Sequence, residues 1–210
     1  MGTLDRRIYA VAADPVSPSS AGPPPGTWRD TRSAARHTTP MESLFRTDAI
    51  ARITAARAVF ASLRPRVIAS GPWALAEDFG TGPEASWGPR ESLAHVAEML
   101  AYWYGQHGVI VEAGRGPSDP VPFGRNTNDE ARLVIIERDR VFPLGDLFDL
   151  VDDGIARWER RAAATTEEQG RCAGLHPRLG TMTADQVRDR MVVSHLQEHA
   201  AQLEATLARD

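Results

Sequence analysis

Lysine is missing from this sequence: all 24 basic residues are arginine. The arginines form no cluster, so the bias reads as high-GC coding rather than as a surface selected for arginine chemistry. Cysteine is nearly missing too. Cys172 stands alone, which excludes an intramolecular disulfide and a thiolate-rich metal site. Any metal has to be held by histidine and carboxylate. Cys172 lies in a polar stretch beside Arg171, where an exposed and incidental thiol is expected. No apolar run approaches the roughly 18 residues that a membrane-crossing helix needs, and mean hydropathy is -0.34, so no transmembrane segment and no membrane partner are expected. Positive charge is not in excess either. A net charge of -4 and a pI near 5.9 disfavour a nucleic-acid partner, which needs a dense basic face. A secretory leader is not expected either. Arg6 and Arg7 precede only the short apolar stretch Ile8–Ala13, too brief for a signal core, and the expected location is the cytoplasm.

What is present fits one domain with a tail: 210 residues, 42% hydrophobic and 25% charged, enough for a single core but not for two. Residues 1–40 are rich in Pro, Ser and Gly without helical or strand period, and are expected to be a disordered tail. Met41 follows directly, and a start codon there would leave the first forty residues outside the native protein. Residues 41–210 carry four amphipathic segments. The first runs from Pro40 to Arg64, with Phe45, Ala49, Ile53, Ala56, Phe60 and Leu63 as its apolar stripe and a Thr39–Glu42 capping box. The second begins at Pro89, buries Leu93, Val96, Leu100, Trp103 and Tyr104, and ends near Gly108. A long connection broken by Pro117, Pro120 and Pro122 follows, decorated by a short helix from Asn128 to about Arg138. The third starts at Pro143 and carries Leu144, Leu147, Val151, Ile155 and Trp158. The fourth enters through a Thr183–Gln186 capping box and continues to Ala208. Alternating stretches that would signal strands are almost absent, so the expected fold class is all-α, a four-helix bundle with a long crossover connection. Asp139-Arg140 and Arg157 to Arg161 read as solvated helix ends, and Trp87, Trp103 and Trp158 as packing anchors. Trp103, Tyr102 and His107 are candidates for a pocket mouth.

The chemistry concentrates in histidines. His195 and His199 lie one helical turn apart, about 6 Å along the axis, on one face. Two imidazoles so placed can chelate one metal, though the same spacing also occurs on solvated flanks. His95, inside the second helix beside its apolar stripe, is the candidate third ligand. Three neutral imidazoles leave a divalent ion its full charge and an open position. Imidazole suits zinc, nickel and iron alike. Glu98 and Glu198, each three residues from or beside a candidate ligand, are candidates for a further ligand, for an acceptor of an imidazole N–H, or for catalysis. His195-Leu196-Gln197-Glu198-His199 also matches the H-x-x-E-H protease pattern with Glu198 as base. That family's glutamate ligand well downstream has no clear counterpart, since Glu204 is the sole acid between His199 and Asp210.

Three stretches carry a resemblance. Trp87-Gly88-Pro89-Arg90-Glu91-Ser92-Leu93-Ala94-His95 resembles the W-[ST]-x-x-E-x-L-x-H opening of the second helix in the DinB/YfiT-like superfamily, with Gly88 replacing the usual Ser or Thr. His176-Pro177-Arg178-Leu179-Gly180-Thr181-Met182-Thr183 resembles the H-P-x-L-G-x-L-T lead-in to its last helix. His195-x-x-x-His199-x-x-Gln202 resembles its H-x-x-x-H-x-x-Q ending. The resemblance spans about Met41 to Leu207. It implies a four-helix bundle, a metal on His95, His195 and His199, frequent homodimers and a small-molecule substrate. Some members resemble metal-dependent transferases that use a low-molecular-weight thiol such as mycothiol or bacillithiol. His176 is expected to shape the loop before the last helix. The functional expectations are therefore a thiol-dependent S-transferase, a metal-dependent hydrolase, or a non-enzymatic metal-binding or stress-response bundle.

Overall fold

The computed structural model describes residues 40–126 and 129–208. The expected N-terminal tail, the Thr39–Glu42 capping box, the Phe45 side chain and Asn128 lie outside them. Helix α1 spans Pro40–Ala69 and buries Ala49, Ile53, Ala56, Phe60, Leu63 and Val67, a stripe of three- and four-residue steps. It runs past the expected end at Arg64 because Val67 extends the same stripe, and that burial outweighs the backbone bond that Pro65 cannot donate. Trp73 then donates its indole N–H to the Val67 carbonyl at 2.7 Å.

Helix α2, Pro89–Ala113, opens on Gly88 with Pro89 in its first turn and closes on Gly114 in the left-handed region at φ 62. It continues beyond the expected Gly108 because Ile110 is fully buried, and Gly108 is tolerated where the Arg161 guanidinium presses on it. Helix α3 spans Glu130–Asp139, its Asp129 cap accepting from the Ala131 N–H. Helix α4 spans Leu144–Ala164 and crosses α2 closely: a Cβ on Gly154 would stand 2.9 Å from Leu100, and Trp158 donates to the Leu100 carbonyl at 3.0 Å. Arg57 and Arg64 tie α1 to Asp152 and Asp149 of α4 at 2.7 and 2.5 Å. These partly exposed pairs contribute about 1 kcal/mol or less each.

After the single turn α5, Glu167–Gly170, the chain forms what periodicity did not predict, a small sheet. Strands β1 (Val121–Pro122), β2 (Ala173–His176) and β3 (Gly180–Thr183) lie in that order. β1 pairs parallel to β2 with Val121 opposite Gly174, and β2 pairs antiparallel to β3 with His176 opposite Gly180. Elements of two to four residues are too short to show alternation. The sheet presses directly on α2, since a Cβ on Gly174 would meet Phe123 at 2.5 Å and Ile110 at 2.9 Å. The all-α expectation is corrected to a mainly helical fold with this three-stranded addition.

The Thr183–Gln186 capping box is present and starts α6, Ala184–Arg188. A π-helical turn, Asp189–Ser194, leads without a break into α7, His195–Leu207. Helix α2 lies against α3, α4, α6 and α7, while α1 packs on α4 and α7. Asp139-Arg140, expected to be a solvated helix end, is instead structural. Asp139 is fully buried, and Arg140 bonds the fully buried Glu91 at 3.1 Å, which also accepts from the Ala76 N–H at 3.0 Å. The Glu91 of the family-like stretch thus anchors the start of α2. No helix among the described residues is long and apolar enough to cross a membrane.

Candidate metal centre

The central helix α2 delivers His95 from its most buried stretch, and α7 delivers His195 and His199 from adjacent turns. One ring nitrogen from each of the three lies within 4.8 Å of the other two. The His195 and His199 rings stack at 5.5 Å with 11° between planes, and His95 meets them edge-on at 5.9 and 4.8 Å. Nitrogens bound to one tetrahedral ion at about 2.0–2.1 Å stand roughly 3.3–3.5 Å apart. Closing the remaining gap of up to about 1.5 Å takes changes of side-chain torsion.

Two of the rings are prepared as neutral donors, those of His95 and His199. Burial pushes His95 well below the usual histidine range, helped by His199 and the Arg132 guanidinium. Burial also lowers His199, against the hydrogen bond that its ring donates to Gln202. That bond joins His199 Nδ1 to Gln202 Oε1 at 2.9 Å, and the Gln202 amide N–H donates to the Glu84 carbonyl at 3.1 Å. Because the amide nitrogen is committed as donor, the amide oxygen must accept, which places the His199 proton on Nδ1 and leaves Nε2 with a lone pair. His95 Nε2 is buried and has no hydrogen-bond partner, a state that costs about 1–3 kcal/mol unless something satisfies it. His95 Nδ1 stands 3.5 Å from Arg132, at the outer limit of a hydrogen bond. The Trp87 ring walls the other side at 5.7 Å. Three ring nitrogens within 4.8 Å of one another, two rings held neutral and one buried nitrogen without a partner fit a divalent cation.

The two carboxylates fall elsewhere. Glu98 is buried and both its oxygens bind Arg125, at 2.6 and 2.8 Å; burial raises its pKa and Arg125 opposes the rise. It does not join the converging ligand atoms. Glu198 is exposed and sits in the wall of a cavity of about 540 Å³ that reaches His95 and His195. The imidazole acceptor expected from a glutamate is Gln202, which the H-x-x-x-H-x-x-Q ending already contained. Glu84, from the 3₁₀ turn Glu84–Ser86, is the supporting residue that sequence reasoning missed. Its carbonyl holds Gln202 and its carboxylate holds Arg132 at 2.5 Å.

His176 is no ligand. Its Nδ1 accepts from the Arg178 and Leu179 backbone N–H groups at 3.2 and 3.3 Å. Gly124, at φ 80, approaches it where any side chain would collide. His176 therefore shapes the hairpin turn that precedes the last helix, as expected, and it also packs against Gly124 of the loop after β1. Trp103 lines the cavity, whereas Tyr102 lies under the Arg125 guanidinium at 3.7 Å. His107 lines a separate depression near the other end of α2. Cys172 is buried rather than exposed, with its thiol directed at the Glu168 carbonyl at 3.5 Å. Compared with known proteins, the chain matches no family model, no curated protein and no solved structure.

Proposed function

We propose that this chain is a divalent-metal protein of the DinB/YfiT four-helix-bundle type, a small-molecule transferase that uses a low-molecular-weight thiol such as mycothiol or bacillithiol. The observation that carries the metal reading is the convergence of His95, His195 and His199 within 4.8 Å. Four long helical runs, α1, α2, α4 and α6–α7, with a long connection from α2 to α4, support the bundle type. Zinc, nickel and iron all suit three imidazoles. When bound, such an ion supplies Lewis acidity that holds a coordinated thiol deprotonated at neutral pH. The chain's own residues then do the rest. Gln202 fixes the ring of His199, Trp87 and the surrounding core keep water from His95, and the cavity admits the substrate to the open side.

Glu198 favours a second reading. Its carboxylate stands on the cavity wall, free of the arginine that occupies Glu98, and in a metal-dependent hydrolysis it would take a proton from water. Elemental analysis of the purified protein, followed by assays with monochlorobimane plus a thiol panel and with esters lacking thiol, tests both. Bimane conjugation that needs metal and thiol supports transfer, and ester cleavage without thiol supports hydrolysis. Stoichiometric metal without turnover in either assay leaves a non-enzymatic metal-binding or stress-response bundle. A protein that holds no zinc, nickel or iron and takes none up refutes the whole reading.

A further inference from the structure

The cavity over the histidines is more basic than the chain around it. The protein carries a net charge of -4, yet Arg125, Arg132, Arg178 and Arg190 line this one cavity against Glu84 and Glu198. The arginines fall into two tiers. Arg125 and Arg132 are the inner pair, with side chains 16% and 11% exposed, and each is matched by a carboxylate, Glu98 at 2.6 Å and Glu84 at 2.5 Å. Arg178, from the hairpin turn, and Arg190, from the π turn, are exposed at the mouth. Arg190 has no hydrogen bond or ion pair among the described residues. Met99, Trp103, Leu179 and Met191 supply apolar wall to the same cavity.

This layout has a charge problem that a ligand resolves. Three neutral imidazoles carrying a divalent ion add two positive charges to the floor and no negative one, in a cavity whose inner carboxylates are already committed to arginines. A low-dielectric, cation-lined cleft concentrates anions. Its volume of about 540 Å³ falls within the roughly 300–1,000 Å³ of small-molecule sites. We infer that the cavity takes an amphipathic carboxylate: a donor atom at the histidine floor, an apolar stem against Met99, Trp103 and Met191, and a carboxylate at Arg178 and Arg190. This inference rests on the metal reading above and names the class of ligand for it.

The test uses full-length protein loaded with cobalt(II), whose sulfur-to-cobalt absorption reports thiol binding without turnover. The probes are 6-mercaptohexanoate and 6-mercaptohexanol, matched in length and too long to chelate through both ends. At fixed ionic strength the carboxylate should bind about tenfold more tightly, the worth of two partly exposed ion pairs. Arg190→Ala and Arg178→Ala should each shrink that preference and the double variant should abolish it. High salt should shrink it in the unaltered protein too. Equal affinities, or no binding of either thiol to cobalt-loaded protein, would overturn the inference and leave the metal reading standing. A protein that takes up no cobalt would overturn the metal reading and the inference with it.

Discussion

His95 and His107 stand on the same helix and look alike by every local measure. Both are buried, both are held below the usual histidine range by that burial, and each has a guanidinium near Nδ1, Arg132 at 3.5 Å and Arg161 at 3.4 Å. Their surroundings differ. His95 meets two further imidazoles and leaves one nitrogen without a partner. His107 meets the Trp158 ring at 5.4 Å and a guanidinium that lies 3.8 Å over Tyr104. Burial and a lowered pKa therefore mark a histidine on this helix as packed, and only convergence with α7 marks it as a candidate ligand.

The sharpest way to break this contrast is to remove each ring in turn. His95→Ala should weaken metal binding by more than the roughly 10–100-fold that loss of an outer partner costs, whereas His107→Asn should keep one equivalent by elemental analysis. Equal losses would erase the distinction. A smaller effect belongs to the residue that orients a ligand. Gln202→Leu should weaken metal binding by roughly 10–100-fold in a chelator competition, and Arg161→Leu, beside His107, should leave it unchanged.

Stability offers a gentler version. Zinc at about 100 times its dissociation constant should add about 2.7 kcal/mol against urea unfolding. His107→Asn should retain that gain and His95→Ala should lose it. The smallest effect lies in the slope of stability against pH, measured without metal. His107 has its pKa pushed down from 6.5 to about 3. The unfolded chain thus takes up a proton below about pH 6.5 that the folded chain refuses until about pH 3. The stability is intact above pH 6.5 and is lost as pH falls through that window. His107→Asn should flatten the slope there by up to one proton, read from urea midpoints between pH 7 and 4. An unchanged slope would mean that His107 titrates normally.

The long elements were legible because burial repeats along them. Ile53, Ala56, Phe60 and Leu63 on α1, and Leu147, Val151, Ile155 and Trp158 on α4, are all buried as their spacing predicts. The three-histidine grouping was legible from i, i+4 spacing plus one histidine on another apolar stripe. What escaped depends on partners far away in the chain. Nothing beside Glu98 announces Arg125, and nothing beside Glu91 announces Arg140, so Glu98 read as a candidate ligand, imidazole acceptor or catalytic group and Arg140 as a solvated end. The strands escaped because Ala173–His176 and Gly180–Thr183 are too short for a period. Gly174 is where the sheet comes closest to its neighbours, Phe123 and Ile110, and both lie far from it in the chain.

The π turn that precedes His195 separates two things that helical chains usually couple. Ser194 donates its hydroxyl to the Asp189 carbonyl at 3.1 Å, spanning the wider ring that accommodates one additional residue. Such a turn absorbs a change in length without rotating what flanks it. Losing one residue there should restore an ordinary turn and keep His195 and His199 facing α2, altering only the rim that carries Arg190. The same loss between the two histidines would swing one ring about 100° from the other. Floor and rim can therefore drift independently, so the sequence has room to change what it admits while keeping how it holds an ion.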